Sequence, residues 1–145
     1  MRSRKLYEKD GLRIYVAVLD SGDAVADCLL QIAREERLNA AQVTAIGAFE
    51  SATLAFFDWQ SKEYEKIPVP EQAEVLSLLG DIAVDPEGEP KLHLHAVLGR
   101  RGGSVVGGHL LDARVRPTLE VMINESPAHL QRVHDSVSGL ALIQP

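Results

Sequence analysis

Residues 91–111 constrain the fold of this chain more than any other part of the sequence. They read KLHLHAVLGRRGGSVVGGHLL, two largely apolar runs separated by Arg101, Gly102 and Gly103. Alternation of side chains with a period of two is typical of a β-strand with one buried face. Glycine supplies the positive φ that a three-residue hairpin loop requires. The segment therefore predicts an antiparallel β-hairpin.

The loop also predicts the register of this hairpin. If Arg100 pairs with Ser104, His95 lies directly opposite His109. Paired residues point to the same side of a sheet with their Cβ atoms about 4.5–5.5 Å apart. His93, two positions before His95, shares that face. Three histidines therefore converge, whereas a slip of one residue would send His109 to the opposite face.

The converging histidines have two interpretations. Three neutral imidazoles within reach of one point suit a divalent transition metal, with a fourth position left for water or a ligand. Alternatively, each is an ordinary half-buried polar residue. The metal interpretation predicts ligation by His93, His95 and His109, while His129 and His134 lie outside this geometry and are expected on the surface.

Glu120 is a candidate companion of the histidines. Leu119 and Val121 alternate with it, so its side chain is expected on the face opposite to theirs. If the apolar face looks into the same core as the hairpin, Glu120 shares the layer of the histidines. It would then be a ligand, or a general acid or base beside a metal-bound water. The alternative is a solvent-facing glutamate, and Glu50 is a weaker candidate of the same kind.

Short strands around one early helix predict the fold class. Apolar residues recur at helical spacing over 25–33, with Asp20 and Ser21 as N-terminal caps and an end near Leu38 and Asn39. A second, short helix is predicted over 129–137. Strand patterns cover 12–19, 43–49, 51–57, 74–79, 91–98, 105–111, 118–123 and 140–143. This succession favours a single α+β domain with a mainly antiparallel sheet.

Composition and charge limit the classes of function. A chain of 145 residues that is 46% hydrophobic and 25% charged fits one soluble domain. Its net charge of −6 argues against wrapping nucleic acid by charge alone. Residues 58–89 carry a net charge of −7 and residues 91–116 a net charge of +4. These stretches are either two solvated faces or, in the basic one, a local anion site.

The length of the apolar runs and the number of cysteines predict where the protein is located. No apolar run approaches the roughly 20 residues that a membrane-spanning helix needs, so no membrane partner is expected. Cys28 is the only cysteine and cannot form an intramolecular disulfide. A reducing cytoplasm is therefore the predicted location.

Several motifs together resemble a known family, the plants-and-prokaryotes conserved (PPC) domain. The histidine motif at 93–95, the Gly-Gly-His-Leu motif at 107–110 and Glu120 carry the resemblance. Weaker segments at 46–58 and 74–80 occur in the same order as in the family. The resemblance extends over about residues 6–143 and implies a single PPC-like domain over 1–145 in its stand-alone prokaryotic form.

The resemblance implies a fold, an assembly and a cofactor. PPC domains have a mainly antiparallel, barrel-like sheet, and prokaryotic members are typically homotrimers. Some hold a metal, zinc by expectation, through histidines that match His93, His95 and His109. The fold is also similar to that of acetolactate decarboxylase, whose zinc is likewise held by three histidines.

Three functions remain open at this point. The first is a metal-binding module for a small ligand or a protein partner. The second is DNA binding, because many prokaryotic members are labelled "putative DNA-binding protein", although this chain lacks the Arg-Gly-Arg-Pro core of the AT-hook found in plant relatives. The third is a metal-dependent lyase or decarboxylase for a small oxo- or hydroxy-acid. There Glu120 would move the proton, and Arg114 or Arg116 would pair with a substrate carboxylate.

Overall fold

The computed structural model describes residues 1–144, which form one helix and nine strands. The strands are β1 (Arg2–Lys9), β2 (Leu12–Asp20), β3 (Ala40–Asp58), β4 (Glu63–Val69), β5 (Ala73–Val84), β6 (Pro90–Gly99), β7 (Val105–Glu125), β8 (Gln131–His134) and β9 (Ala141–Gln144). The helix, α1 (Val25–Glu35), lies between β2 and β3. The predicted single α+β domain is confirmed, and only Pro145 of its predicted extent lies outside the described residues.

The sheet curls into a partial ring because two long strands, β3 and β7, each pair with three other strands. The first half of β3 pairs with β5 and its second half with β4, while β7 pairs in turn with β6, β3 and β2. β6 joins β5 to β7 and completes the ring β3–β5–β6–β7. All of these pairs are antiparallel, and the short contact of β8 with β5 is parallel.

The core lies inside this ring and under α1. The inward-facing residues of the four ring strands are fully buried aliphatic and aromatic side chains, such as Phe49, Leu54, Leu78 and Leu98. The apolar face of α1 packs on β6 and β7, with Val25, Cys28, Leu29, Ile32 and Ala33 buried. The outer face of the ring strands is left for solvent, partners or a functional site.

The structure corrects several predicted boundaries. α1 begins at Val25 without a side-chain cap, since Asp20 still belongs to β2. The predicted strands 43–49 and 51–57 are one strand, and so are 105–111 and 118–123. Their polar interruptions mark shifts of register between neighbouring strands rather than turns. Alternation alone does not distinguish such an irregularity from a strand end.

The predicted helix over 129–137 is wrong. Residues Gln131–His134 form β8, which makes an antiparallel hairpin with β9. β1 and β4 were not predicted from the sequence, because their side chains are mostly exposed, many of them charged, and therefore carry little apolar alternation. Among the described residues, no helix is long and apolar enough to cross a membrane.

Candidate metal centre

The β6–β7 hairpin has the predicted register. The backbone N–H of Arg100 donates to the carbonyl oxygen of Ser104 at 2.8 Å, and Gly102 and Gly103 both have φ of +87°. His95 lies directly opposite His109. The prediction that these two histidines share one face is confirmed.

The strands diverge immediately after this pair. β7 leaves β6 at His109 and continues along β3, while β6 continues along β5. The cross-strand partner of His93 is therefore Asp81 of β5. Gly80, the neighbour of Asp81, allows β5 and β6 to approach, because a Cβ there would meet the carbonyl oxygen of His93. The histidines thus lie where three strands of the ring meet.

The three imidazoles form one cluster on the outer face. Nε2 of His93 lies 3.2 Å from Nε2 of His95. The ring centroids are 5.1–5.4 Å apart in all three pairs. Each of His93, His95 and His109 offers a ring nitrogen within 4.8 Å of those of the other two. The structure therefore brings together the trio that the sequence singled out.

A cleft of about 400 Å³ opens beside the cluster. Tyr64 of β4 stacks on His109, with ring centroids 4.8 Å apart and an angle of 29° between the planes. The opposite wall belongs to the β8–β9 hairpin, which contributes Arg132 and Leu142. Neither Tyr64 nor Arg132 is predicted from the sequence, because both lie far from the histidine motif. Tyr64 is in a strand without clear alternation, and Arg132 is in the segment predicted as a helix.

The electrostatic environment keeps two of the imidazoles neutral. Burial lowers the pKa of His109 to about 4, and the positive charges that His93, His95 and Arg132 can carry act in the same direction. Burial also lowers the pKa of His93, with Arg132 as the next cause, while Asp81 opposes the shift. A neutral imidazole has a free lone pair, which is the form that binds a metal.

The donor set fits a metal ion. Nδ1 of His109 is buried and has no hydrogen-bond partner among the described residues. Leaving such a group unsatisfied costs about 1–3 kcal/mol. Imidazole nitrogens suit Zn²⁺ and its neighbours in the first transition row better than Ca²⁺ or Mg²⁺, which prefer oxygen. His93, His95 and His109 are thus suited to hold such an ion.

The other predicted site residues lie elsewhere or are engaged. Glu120 is on the outer face, as alternation predicts, but lines a separate depression with Ile46. A guanidinium nitrogen of Arg114 donates to the carbonyl oxygen of Gly22 at 3.1 Å. Arg116 forms an ion pair with Glu50 at 2.8 Å. The structure therefore does not bring these groups to the cleft beside the histidines.

The two remaining histidines are on the surface. His129 and His134 are both exposed, as the sequence predicts. His134 lies on the rim of the cleft, whereas His129 belongs to a different depression. Neither is part of the group of ring nitrogens that could hold an ion.

The chain is an α+β domain in which a ring of antiparallel strands carries one helix and an external histidine cluster. The family model of the Plants and Prokaryotes Conserved (PCC) domain matches residues 7–127. The chain belongs to this family, which is the PPC family of the resemblance described above. No curated protein matches the sequence.

Solved structures are similar over almost the whole chain. A metal-containing protein from Archaeoglobus fulgidus is 32% identical, with a TM-score of 0.85 over 98% of this chain and 100% of that one. A "putative DNA-binding protein" from Ralstonia eutropha is 29% identical, with a TM-score of 0.83 over 90% of each chain. The α-acetolactate decarboxylase of Bacillus subtilis is 14% identical, with a TM-score of 0.58 over 86% of this chain and 57% of that one. This last likeness concerns the fold alone.

We expect the His109 imidazole of the metal-free protein to take up its proton near pH 4, below the usual value of 6.5. The unfolded chain then binds more protons than the folded one between these two pH values. The free energy of unfolding of the metal-free protein should therefore decrease as the pH falls through this window.

Proton–nitrogen NMR of the imidazoles after chelator treatment measures the titration, and urea unfolding at several pH values measures the stability. The variant His109→Gln should show a weaker decrease in stability over the same range. A His109 midpoint at 6.5 or higher would contradict the expectation.

Proposed function

We propose that this protein binds a divalent transition metal, zinc, at His93, His95 and His109. The observation that carries the proposal is the approach of three ring nitrogens to within 4.8 Å on one face. Zinc–nitrogen bonds of about 2.0–2.1 Å in a tetrahedral site require ligand nitrogens about 3.3 Å apart. His93 and His95 have this separation already, at 3.2 Å. Small side-chain rotations would bring His109 into place.

The metal would bind a small ligand that occupies the adjacent cleft. Three protein ligands leave a tetrahedral ion with an open position, as in sites that receive water or substrate. The cleft, at about 400 Å³, falls within the range of small-molecule sites. A bound metal acts there as a Lewis acid toward oxygen donors. The metal-containing relative from Archaeoglobus fulgidus supports the first part of this proposal.

We expect the purified protein to hold close to one zinc per chain after dialysis against a zinc buffer. His93→Ala and His109→Ala should each lose most of the bound metal, because each variant leaves only two of the three imidazoles to hold the zinc. Plasma emission spectroscopy gives the stoichiometry, and competition with a coloured chelator gives the affinity.

The matched control is His129→Ala, since this histidine is exposed and outside the cluster. It should bind as much zinc as the unchanged protein. Equal binding by all four proteins would place the metal elsewhere, and no binding by the unchanged protein would refute the proposal.

A homotrimer is the assembly that we propose. Large apolar side chains are exposed on the outer face of the ring strands, including Ile46 at 61% and Leu76 at 53%. Leu79, Val97 and Val105 are also exposed, and the strand register places them on the face that carries the histidines. A contiguous exposed apolar patch on a soluble protein typically marks an interaction surface. The patch carries the proposal of self-association, and the number three comes from the family resemblance.

Light scattering coupled to gel filtration should give about three times the chain mass of 15.8 kDa. Leu76→Glu should yield monomers, because a carboxylate placed in the patch would have to be desolvated on assembly. The control is Lys66→Glu, at an exposed position of β4. Its assembly should have the same mass as that of the unchanged protein. A monomer at micromolar concentration would contradict the proposal.

DNA binding is the second candidate, favoured by the name of the Ralstonia eutropha relative. The basic stretch 91–116 is its best support in this chain, although Arg114 and Arg116 have intramolecular partners. If the protein binds DNA, its retention on a DNA column should decrease steeply between 50 and 200 mM salt, roughly as expected for phosphate contacts. Absence of retention at the lower salt would end this candidate.

A metal-dependent lyase for a small oxo- or hydroxy-acid stays a prediction. Glu120, its predicted acid–base group, lines a depression other than the histidine cleft.

A cytoplasmic location is also proposed. The thiol of Cys28 is buried in the core, and burial raises its pKa, so this cysteine has the character of a reduced core residue.

A further inference from the structure

Arg132 of β8 is a charged side chain that is almost entirely inside the protein, with 6% of its surface exposed. Its Nη1 donates to the carbonyl oxygen of Ala141 across the β8–β9 hairpin at 3.1 Å. Its Nη2 donates to a carboxylate oxygen of Asp81 on β5. A buried guanidinium is tolerated only where it is paired. Arg132 therefore ties the hairpin to the outer face of the ring.

Asp81 connects this arginine to the histidine cluster. It lies directly opposite His93 in the β5–β6 register, so both side chains project from the same face. Its second carboxylate oxygen lies 3.9 Å from Nδ1 of His93. Nε2 of the same ring faces His95 at 3.2 Å. The carboxylate thus stands behind His93, on the side away from the centre of the cluster.

This arrangement has a known chemical use. A histidine that binds a metal through one ring nitrogen usually donates the proton on its other nitrogen to a carboxylate or carbonyl, which fixes the tautomer and the ring orientation. The separation of 3.9 Å is roughly 1 Å longer than a hydrogen bond. Arg132 holds the carboxylate within one small movement of that contact.

The hairpin that supplies Arg132 is otherwise loosely attached. β8 meets β5 through a single residue pair, Val84 with Gln131. The backbone adds hydrogen bonds from Val84 to Leu130 at 3.0 Å and from Leu130 to Asn39 at 3.2 Å. Most side chains of β8 and β9 are exposed or half-buried. The ion pair of Arg132 with Asp81 is therefore one of the few contacts that hold this hairpin against the ring.

We infer that Asp81 and Arg132 are positioning residues for the metal ligand His93, and that docking of the β8–β9 hairpin and metal binding strengthen each other. The inference rests on the proposed metal site. It goes beyond it because both strands of the hairpin follow residue 127, where the family match ends. Coupling between two binding events is reciprocal. If docking of the hairpin strengthens metal binding, metal binding stabilises the docked hairpin by the same free energy.

The first test is zinc affinity, measured by competition with a coloured chelator. Arg132→Met should weaken zinc binding, and Asp81→Asn combined with Arg132→Met should weaken it further, by about 10–100-fold in total. The double variant removes both charges and leaves no unpaired buried ion, so it is expected to fold. Arg132→Lys restores a cation beside Asp81 and should stay closest to the unchanged protein.

The matched control is Arg2→Gln, which removes an exposed ion pair with Asp20 at the β1–β2 end of the sheet. Its zinc affinity should equal that of the unchanged protein. Circular dichroism of each variant checks that the fold is retained. If Arg132→Met does not fold, the double variant and the exchange measurement below decide the question.

The second test uses the unchanged chain and reads the hairpin itself. Zinc should slow amide hydrogen exchange in residues 131–144, and it should not do so in the double variant. Equal zinc affinity of the unchanged protein and the folded double variant, or hairpin exchange that is indifferent to zinc, would overturn the inference and leave the metal site standing. An unchanged protein that binds no zinc would refute the metal site and this inference together.

Discussion

The closure of the β6–β7 hairpin is the constraint on which the histidine cluster depends. One backbone hydrogen bond, from Arg100 to Ser104, sets the register, and two glycines with positive φ make the loop short enough to keep it. Because side chains alternate strictly along a strand, a slip of one residue would turn His109 into the core. Burial of Leu98 opposite Val106 on the other face opposes that slip. The cluster is thus fixed by the packing of residues that do not belong to it.

The ring adds what a hairpin alone lacks. A two-stranded ribbon would carry His93 beyond the last pair with β7, without a neighbour to orient it. In the ring, β5 runs along the other edge of β6 and places Asp81 opposite that histidine. β4, paired to the far half of β3, supplies Tyr64 to the other flank of the cluster. Divergence of β7 from β6 at His109 opens the space between these walls.

The sequence predicted what local periodicity encodes and missed what depends on tertiary contact. The hairpin register and the convergence of His93, His95 and His109 follow from alternation and loop length within 21 residues. The position of Asp81 depends on the pairing of β5 with β6, which no local pattern gives. The sequence predicts a helix around Arg132, since the four residues of this mostly exposed strand carry no clear period. Glu120 lies on the predicted face of the sheet but not beside the histidines. Alternation predicts which side of the sheet a residue occupies, and it does not predict how far along a bent strand that residue lies from another site.

The charges around the cleft limit the ligand that a metal there would accept. Lys91 pairs with Asp85 at 3.1 Å, and Arg132 pairs with Asp81, so these four fixed charges balance one another. The three imidazoles are neutral when they bind a metal. A divalent cation would therefore bring two positive charges that none of these groups offsets. In a half-buried cleft this charge is only partly screened by water, which favours an anionic ligand over a neutral one. The exposed Leu142 and the half-buried Leu92 on the cleft wall favour an apolar body attached to that anion.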